Sequence, residues 1–299
     1  MPSPTARVAL ITGGSSGIGS SLVTHFLSKG YNVLIADLSP PPTGRAGGGE
    51  QLFARTDVTN HGEMVQAFRT AKERWGRVDV VGGIAGISQV FTDPEGKDPF
   101  LRSAQLDSEG DLDAPNFKVV QVNLMGVLNT VHVAVAFARA QDPAEDGARM
   151  RIVVAGSSAS IYPFPNESLY GAAKHGVLGL VRSLAVTLHP QQIYLNAIAP
   201  SLVETGIGNP EAFTAIKAAN CLTPMETIVR AVEVLTAPDS SLTGQIIECC
   251  LDHLSFRRPP RLMNKDEERC MGMIWPLEEI EKVLGVEESE EVGVGVVEG

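Results

Sequence analysis

An apolar run of strand length, Arg7 to Ile11, leads straight into T-G-G-S-S-G-I-G at Thr12 to Gly19. A helical pattern follows (Leu22, Val23, Phe26, Leu27), closed by Gly30 as a C-cap, and a second apolar run spans Asn32 to Ala36. Strand, glycine loop, helix and strand in that order make one βαβ unit, which commits the chain to an α/β sheet. A glycine triplet alone is an ordinary tight turn, but here it has the flanking strand and helix that a dinucleotide site requires. The glycines let the backbone approach a pyrophosphate, which rests on the partly positive helix N-terminus. Gly13, Ser16, Gly17, Ile18 and Gly19 are the cofactor-binding candidates of this turn.

The second strand ends on Asp37, in L-I-A-D-L. A carboxylate there accepts both ribose hydroxyls of an adenosine and repels the extra phosphate of NADP. Neither Ser15 nor Ser16 offers a cation to welcome that phosphate, and the first basic residue afterwards is Arg45, in a P-P-P-T-G-R-A-G-G-G loop. NAD is favoured over NADP.

Tyr170 to Lys174 read Y-G-A-A-K, and Ser157 stands thirteen residues upstream at the end of the apolar run I-V-V-A-G-S-S. A phenol and an ammonium four residues apart on a helix share a face. Tyrosine is a poor base at neutral pH unless a fixed positive charge stabilises its phenolate, which Lys174 would supply. A hydroxyl such as Ser157 would hold a substrate oxygen without competing for the proton. By itself such a pair occurs on many solvated helices; its company with the glycine loop points to proton transfer.

These motifs, with Asp57-Val58 after a third strand (Gln51 to Ala54), Asn123 in V-N-L-M-G-V-L-N and P-S-L-V-E-T at Pro200 to Thr205, resemble the short-chain dehydrogenase/reductase family in its compact form. The resemblance covers about Arg7 to Leu251 with the motifs in the family's order. It implies a catalytic tetrad. Tyr170 would be the general acid/base, Lys174 would bind the nicotinamide ribose and lower the tyrosine pKa, Ser157 would position the substrate oxygen, and Asn123 would hold a water linking the lysine to solvent. Ser157 fits the family spacing, and Ser158 is the alternative. Asp57 and Val58 would contact the adenine, Gly86 would line the cofactor cleft, and Val203 and Thr205 would flank the nicotinamide carboxamide. Two positions depart from the family: G-I-A-G at Gly83 to Gly86 stands in place of N-N-A-G, and Ser201 replaces a glycine. The first weakens local hydrogen bonding in the sheet, and neither touches the tetrad.

At 299 residues, 43% of them hydrophobic, the chain is long enough for one large core. Alternating strand and helix signals predict a single doubly wound Rossmann-type α/β domain with a seven-stranded parallel sheet over residues 1–252, with a polar insert at about 92–115. The remaining strands are expected at Asp79 to Gly83, Arg151 to Ala155, Ile193 to Ile198 and Gln245 to Cys249, and the long helices at Phe117 to Ala140 and Tyr170 to Leu188. Both helices are apolar round more than one face, so they lie under other helices or form a subunit interface. The resemblance implies a homodimer or homotetramer built on them.

Residues 253–299 form a C-terminal extension. From Asn264 onward it holds eleven acidic and three basic residues, so it carries −8 of the net −11, and its last part reads as disordered solvated chain. Leu254 to Leu262 and a helical stretch at Met271 to Leu284 are expected to fold over the substrate cleft or onto a neighbouring subunit. With the core nearly balanced in charge and no basic stripe, nucleic acid is excluded as a partner. Cys221, Cys249, Cys250 and Cys270 have no metal-ligand spacing and read as reduced, packed thiols, so no metal is expected. With no apolar h-region and no run of eighteen apolar residues, no membrane span is expected and the chain reads as cytoplasmic. His132, His175 and His189 read as structural.

Ile161, Tyr162, Pro163, Phe164 and Pro165 before the tyrosine, and Ile207, Phe213 and Ile216 in a lid after Pro200, give an apolar lining. The expected activity is NAD-dependent oxidation of a secondary alcohol on a hydrophobic small molecule of polyketide, terpenoid or hydroxy-lipid type. The stretch from Tyr170 resembles NAD-linked hydroxyprostaglandin dehydrogenases, and the insert and tail resemble fungal tailoring members of secondary metabolism. The alternatives are an NADP-dependent ketone reductase of the same fold and a non-redox dinucleotide-binding protein.

Overall fold

The computed structural model describes residues 6–42, 48–88, 98–205 and 210–285. Arg45, Ile207 and the acidic end of the tail lie outside them.

Strand β1 (Val8–Thr12) is buried along its whole length, because helices cover both faces of the sheet and its side chains alternate between two cores. Helix α1 (Gly17–Ser28) and strand β2 (Asn32–Asp37) complete the predicted βαβ unit. Next come β3 (Gln51–Arg55), α2 (His61–Trp75), β4 (Val80–Gly83) and a short α3 (Pro99–Ser103). Helix α4 (Lys118–Arg139) contains a π-helical turn at Gln121–Met125. Then follow β5 (Met150–Ala155), α5 (Ser168–Leu188), β6 (Ile193–Pro200), α6 (Pro210–Ala218), α7 (Met225–Thr236) and β7 (Ile246–Cys250).

The order of the first seven strands in the sheet is β3-β2-β1-β4-β5-β6-β7, and they are parallel as expected. Val8, Leu10, Leu34, Ile152 and Leu195 face α2, α4 and α5, while Ala9, Ile11, Val33, Val153 and Ile198 face α1 and α7. The chain winds outward in both directions from β1 and β4. Their C-terminal ends form the crevice at which sheets of this kind bind ligands.

The eighth strand corrects the count of seven. β8 (His253–Phe256) runs antiparallel to β7, with Cys250 opposite His253. A two-residue turn of Leu251 and Asp252 makes the hairpin, and Leu251 adopts φ +52°, a conformation that glycine or asparagine usually fills. Its N–H donates to Thr223 Oγ1 at 3.1 Å, so a tertiary contact holds a turn that local sequence does not announce.

Beyond β8, α8 (Lys265–Met271) is followed by α9 (Leu277–Leu284). Leu284 is buried in a notch at Gly244 beside Ala185 of α5, and Gln245 Nε2 donates to the Val283 carbonyl at 3.1 Å. Gly244 precedes β7, so α9 sits on its own chain at the end of the sheet away from the glycine loop, not over the cleft.

Helix α4 is long and apolar enough to cross a membrane by length and composition. It instead packs Val127, Val131, Val133, Ala134 and Ala138 into the core and carries a buried asparagine.

Candidate active site

The glycine loop is built by contacts that exclude side chains. Gly13 lies at φ +66°, and a Cβ there would come 2.8 Å from Ala85 Cα at the end of β4. A Cβ on Gly19 would overlap the Gly13 carbonyl, so helix and loop close to backbone contact only because both are glycine. Ser16 is the exposed N-cap residue of α1 and makes no side-chain capping bond, leaving the first-turn N–H groups directed into the mouth of the loop. Ile18 packs against the core below, and Thr205 approaches Gly17, where a Cβ would lie 3.2 Å from Thr205 Cγ2. Such a cradle, made of backbone at a helix N-terminus, fits a pyrophosphate.

Asp37 closes β2 beside this loop. Its Oδ2 accepts the Ser15 N–H at 3.0 Å and its Oδ1 accepts the Ser39 N–H at 3.2 Å, which fixes the carboxylate at the rim. Ser15 is thus a site residue that no sequence motif singled out. The Asp57 carboxylate turns to Thr59, accepting its hydroxyl at 2.7 Å and its N–H at 2.9 Å, and these bonds hold it below the usual carboxylate range. Val58 is buried against Gly126 of α4, and Val203 is buried after β6.

At the start of α5 the three predicted polar residues meet. The Ser157 hydroxyl faces the Tyr170 phenol closely enough to act on its ionisation. Ser157 caps the short turn after β5 and accepts the Ala159 N–H at 3.2 Å, which leaves its own O–H to donate. Ser158 begins that turn, and Ser157 is the serine in contact with the phenol. Burial raises the Tyr170 pKa; the Ser157 hydroxyl acts against this, and the Glu167 charge adds to it. Lys174 is buried one turn on, with Nζ 5.6 Å from the centre of the Tyr170 ring and donating to the Ala155 carbonyl at 2.8 Å. Burial pulls its ammonium down to about 8, so the charge persists at neutral pH.

Asn123, fully buried, is carried by the π-helical turn of α4. Its Oδ1 accepts the Ile87 N–H and its Nδ2 donates to the Ile87 carbonyl, both at 2.8 Å. Gly86 stands between this amide and the lysine: a Cβ there would lie 3.2 Å from Asn123 Oδ1 and 3.8 Å from Lys174 Nζ. The space left by the missing side chain joins the two.

The G-I-A-G departure is offset by Thr12. Its Oγ1 accepts the N–H groups of Ile84 at 3.0 Å and Ala85 at 3.2 Å and donates to the Gly82 carbonyl at 3.3 Å, stitching β1 to β4 where asparagines are lacking. The described part of the insert, read as a solvated excursion, is anchored at Asp98. Asp98 is buried and accepts the Ser168 N–H at 2.9 Å at the start of α5, while Leu101, Leu106 and Leu112 are exposed.

On the substrate side Phe164 leans over the phenol, the ring centres 6.2 Å apart. Tyr162 OH lies 3.2 Å from Glu248 Oε2 and accepts from Arg257 Nη2 at 2.6 Å, which ties the loop before Tyr170 to β7 and the chain after β8. Among the described residues no cluster of three or more His, Cys, Asp or Glu is placed to hold a metal.

The family model for short chain dehydrogenases matches residues 7–214. Short-chain dehydrogenase/reductase ascJ of Acremonium egyptiacum is 36% identical over 245 residues, covering 81% of this chain and 77% of the relative. Short-chain dehydrogenase/reductase prx6 of Penicillium rubens is 28% identical over 90% of this chain and 91% of its own length. The 3-hydroxyacyl-CoA dehydrogenase type-2 of Rattus norvegicus is 31% identical over 66% of this chain and 74% of its own. Among solved structures, a 3-ketoacyl-(acyl-carrier-protein) reductase from Brucella melitensis complexed with NADH matches with a TM-score of 0.67 and 25% identity, over 83% of this chain and 98% of that one. Glycine loop, crevice, Ser157-Tyr170 contact and the extent of the match agree: the chain belongs to the short-chain dehydrogenase/reductase family of NAD(P)-dependent oxidoreductases.

Proposed function

We propose that the chain uses NAD to oxidise a secondary alcohol on an apolar molecule of polyketide, terpenoid or hydroxy-lipid type. The Ser157-Tyr170 pair above the buried Lys174, whose Nζ lies 5.6 Å from the centre of the phenol ring, carries the proposal. In it, Ser157 donates to the substrate oxygen and Tyr170 takes the hydroxyl proton. Lys174 supplies the positive charge beneath, and Asn123, across the gap at Gly86, holds a water that passes the proton outward. NAD, when bound, accepts the hydride. Asp37 at the rim supports NAD over NADP, since its charge opposes a 2′-phosphate. Phe164, Tyr162 and Ile161 support an apolar substrate. Incubation with NAD or NADP and a panel of apolar secondary alcohols, followed by absorbance of the reduced cofactor, tests this. Turnover of polar alcohols alone, or faster reaction with NADP, refutes it.

The same reading takes the chain as a homodimer or homotetramer. An apolar groove of about 510 Å³ runs between α4 and α5, lined by Leu128, Val131, Val135, Leu180 and Leu184. A second copy seated there would bury it. Leu184→Glu is expected to lower the molar mass in light scattering to that of a smaller species, and an unchanged mass rejects this face.

A further inference from the structure

Glu248 alternates with Ile247 and Cys249 along β7, so its side chain leaves the sheet on the α5 face, where it is 7% exposed. A carboxylate taken out of water is costly unless it is paired. Arg257, the residue after β8, supplies the pair: its Nε donates to Glu248 Oε2 at 2.5 Å, and its Nη2 meets the same oxygen. That Nη2 also donates to Tyr162 OH at 2.6 Å, the phenol oxygen lies 3.2 Å from Glu248 Oε2, and the guanidinium carbon stands 5.8 Å from the centre of the Tyr162 ring. Residues from three segments thus close one polar triangle. The backbone of Arg257 is fixed as well. Its N–H donates to the Ile246 carbonyl at 2.8 Å, and its carbonyl accepts Arg182 Nη2 of α5 at 3.1 Å.

Tyr162 is where this triangle bears on the active site. From it the chain reads Y-P-F-P-N-E up to α5, with two prolines of fixed φ on either side of Phe164, whose ring centre lies 6.2 Å from that of Tyr170. Asp98 pins the far end of this loop at Ser168, and the triangle pins the near end. We propose that Arg257 is a positioning residue: through Tyr162 it sets the place of Phe164 beside the reacting phenol, and so selects bulky apolar alcohols over small ones. Selection of this kind presupposes the alcohol oxidation proposed above, whereas the triangle itself does not. The guanidinium suits the role because its planar fork reaches carboxylate and phenol at once, which the single ammonium of a lysine does not. None of Tyr162, Glu248 and Arg257 lines the groove between α4 and α5, so a second copy seated there leaves the triangle intact.

Arg257→Met keeps the apolar stem of the side chain and removes its charge. The full chain is assayed with NAD and with NADP on isopropanol and on cyclododecanol, and amide hydrogen exchange is followed over residues 161–167. In the variant the ratio of kcat/KM for cyclododecanol to that for isopropanol is expected to fall about tenfold, chiefly through KM, the scale on which apolar pocket contacts discriminate. Arg257→Lys recovers part of the loss. Tyr162→Phe, which keeps the ring and deletes the hydroxyl, lowers the ratio in the same direction, and the double variant falls no further than Arg257→Met alone, because the two side chains act as one unit. The amides of Ile161 and Tyr162, both bonded to the Ser158 carbonyl, exchange about tenfold faster, while those of β1 and β4 keep the wild-type rate. An unchanged ratio in Arg257→Met, or an equal loss for both alcohols, reduces Arg257 to a structural tie and overturns the proposal. Unchanged exchange overturns it whatever the chain turns over. Faster exchange, in a protein whose wild type oxidises neither alcohol, upholds the triangle and refutes the alcohol-oxidising reading instead.

Discussion

Tyr170→Phe is expected to lower alcohol-dependent NADH formation by about 10²–10⁴-fold, the range that a positioned proton acceptor contributes. NAD binding, followed by quenching of intrinsic fluorescence, stays within a few fold of the wild type, because the cradle at Gly13 to Gly19 and the rim at Asp37 do not involve the phenol. The direction of the tyrosine shift adds a pH signature. Burial and the nearby Glu167 charge raise its pKa, against the Ser157 hydroxyl, so the phenolate fraction grows as pH rises above neutrality. Alcohol oxidation, which needs the phenolate, therefore climbs with pH, whereas ketone reduction, which needs the protonated phenol, falls. A wild-type profile of kcat/KM for oxidation that declines from about pH 6 to about pH 7.5, below the loss of the Lys174 charge, or near-normal turnover in the variant, removes Tyr170 from the chemistry. Lys174 works with this profile. Its ammonium, pulled down to about 8, is present at neutral pH and is lost as the pH passes that value, so the climb flattens at higher pH.

Asp37→Asn is expected to reverse the cofactor preference. The amide keeps the shape of the carboxylate and can still accept one of the N–H groups of Ser15 and Ser39, but it removes the charge. A hydrogen bond to a charged group contributes about 1.5–3 kcal/mol, so kcat/KM for NAD should fall by about ten- to a hundredfold. Relief of charge repulsion should improve NADP over the same substitution, and the ratio of the two kcat/KM values is the measurement. A ratio that stays constant would mean that Asp37 serves only the loop and does not read the ribose. Tyr170→Phe, which leaves the rim intact, should not move the ratio of the two binding constants.

Much of the site could be read from the chain because its geometry is local. A helix brings positions four apart onto one face, so Tyr170 and Lys174 had to be neighbours, and a strand followed at once by a glycine loop had to place that loop at a helix start. Thr12 and Ser15 went unassigned as site residues although both lie inside the motif. Their roles depend on partners far along the chain, Ile84 and Ala85 for one and Asp37 for the other. The long helix expected from Phe117 to Ala140 contains a π-helical turn, and its Asn123 bonds to the backbone of Ile87, 36 residues away. The eighth strand escaped notice because its turn uses Leu251 where glycine or asparagine would have signalled a hairpin. His132, read as a structural residue, is exposed and faces His61 across two helices, a pairing with no sequence spacing of its own.

Periodicity and the glycine, tyrosine and lysine motifs by themselves determined the doubly wound class, the order of the first seven strands along the chain and the reaction class. They express short-range physics: the pitch of a helix, the alternation of a strand, the absence of a Cβ. Tertiary structure alone decided where α9 docks, how Asn123 and Lys174 come to share the gap at Gly86, and that two histidines converge outside the active site. Each of those is a contact between segments far apart in the chain, set by the packing of helices on a twisted sheet.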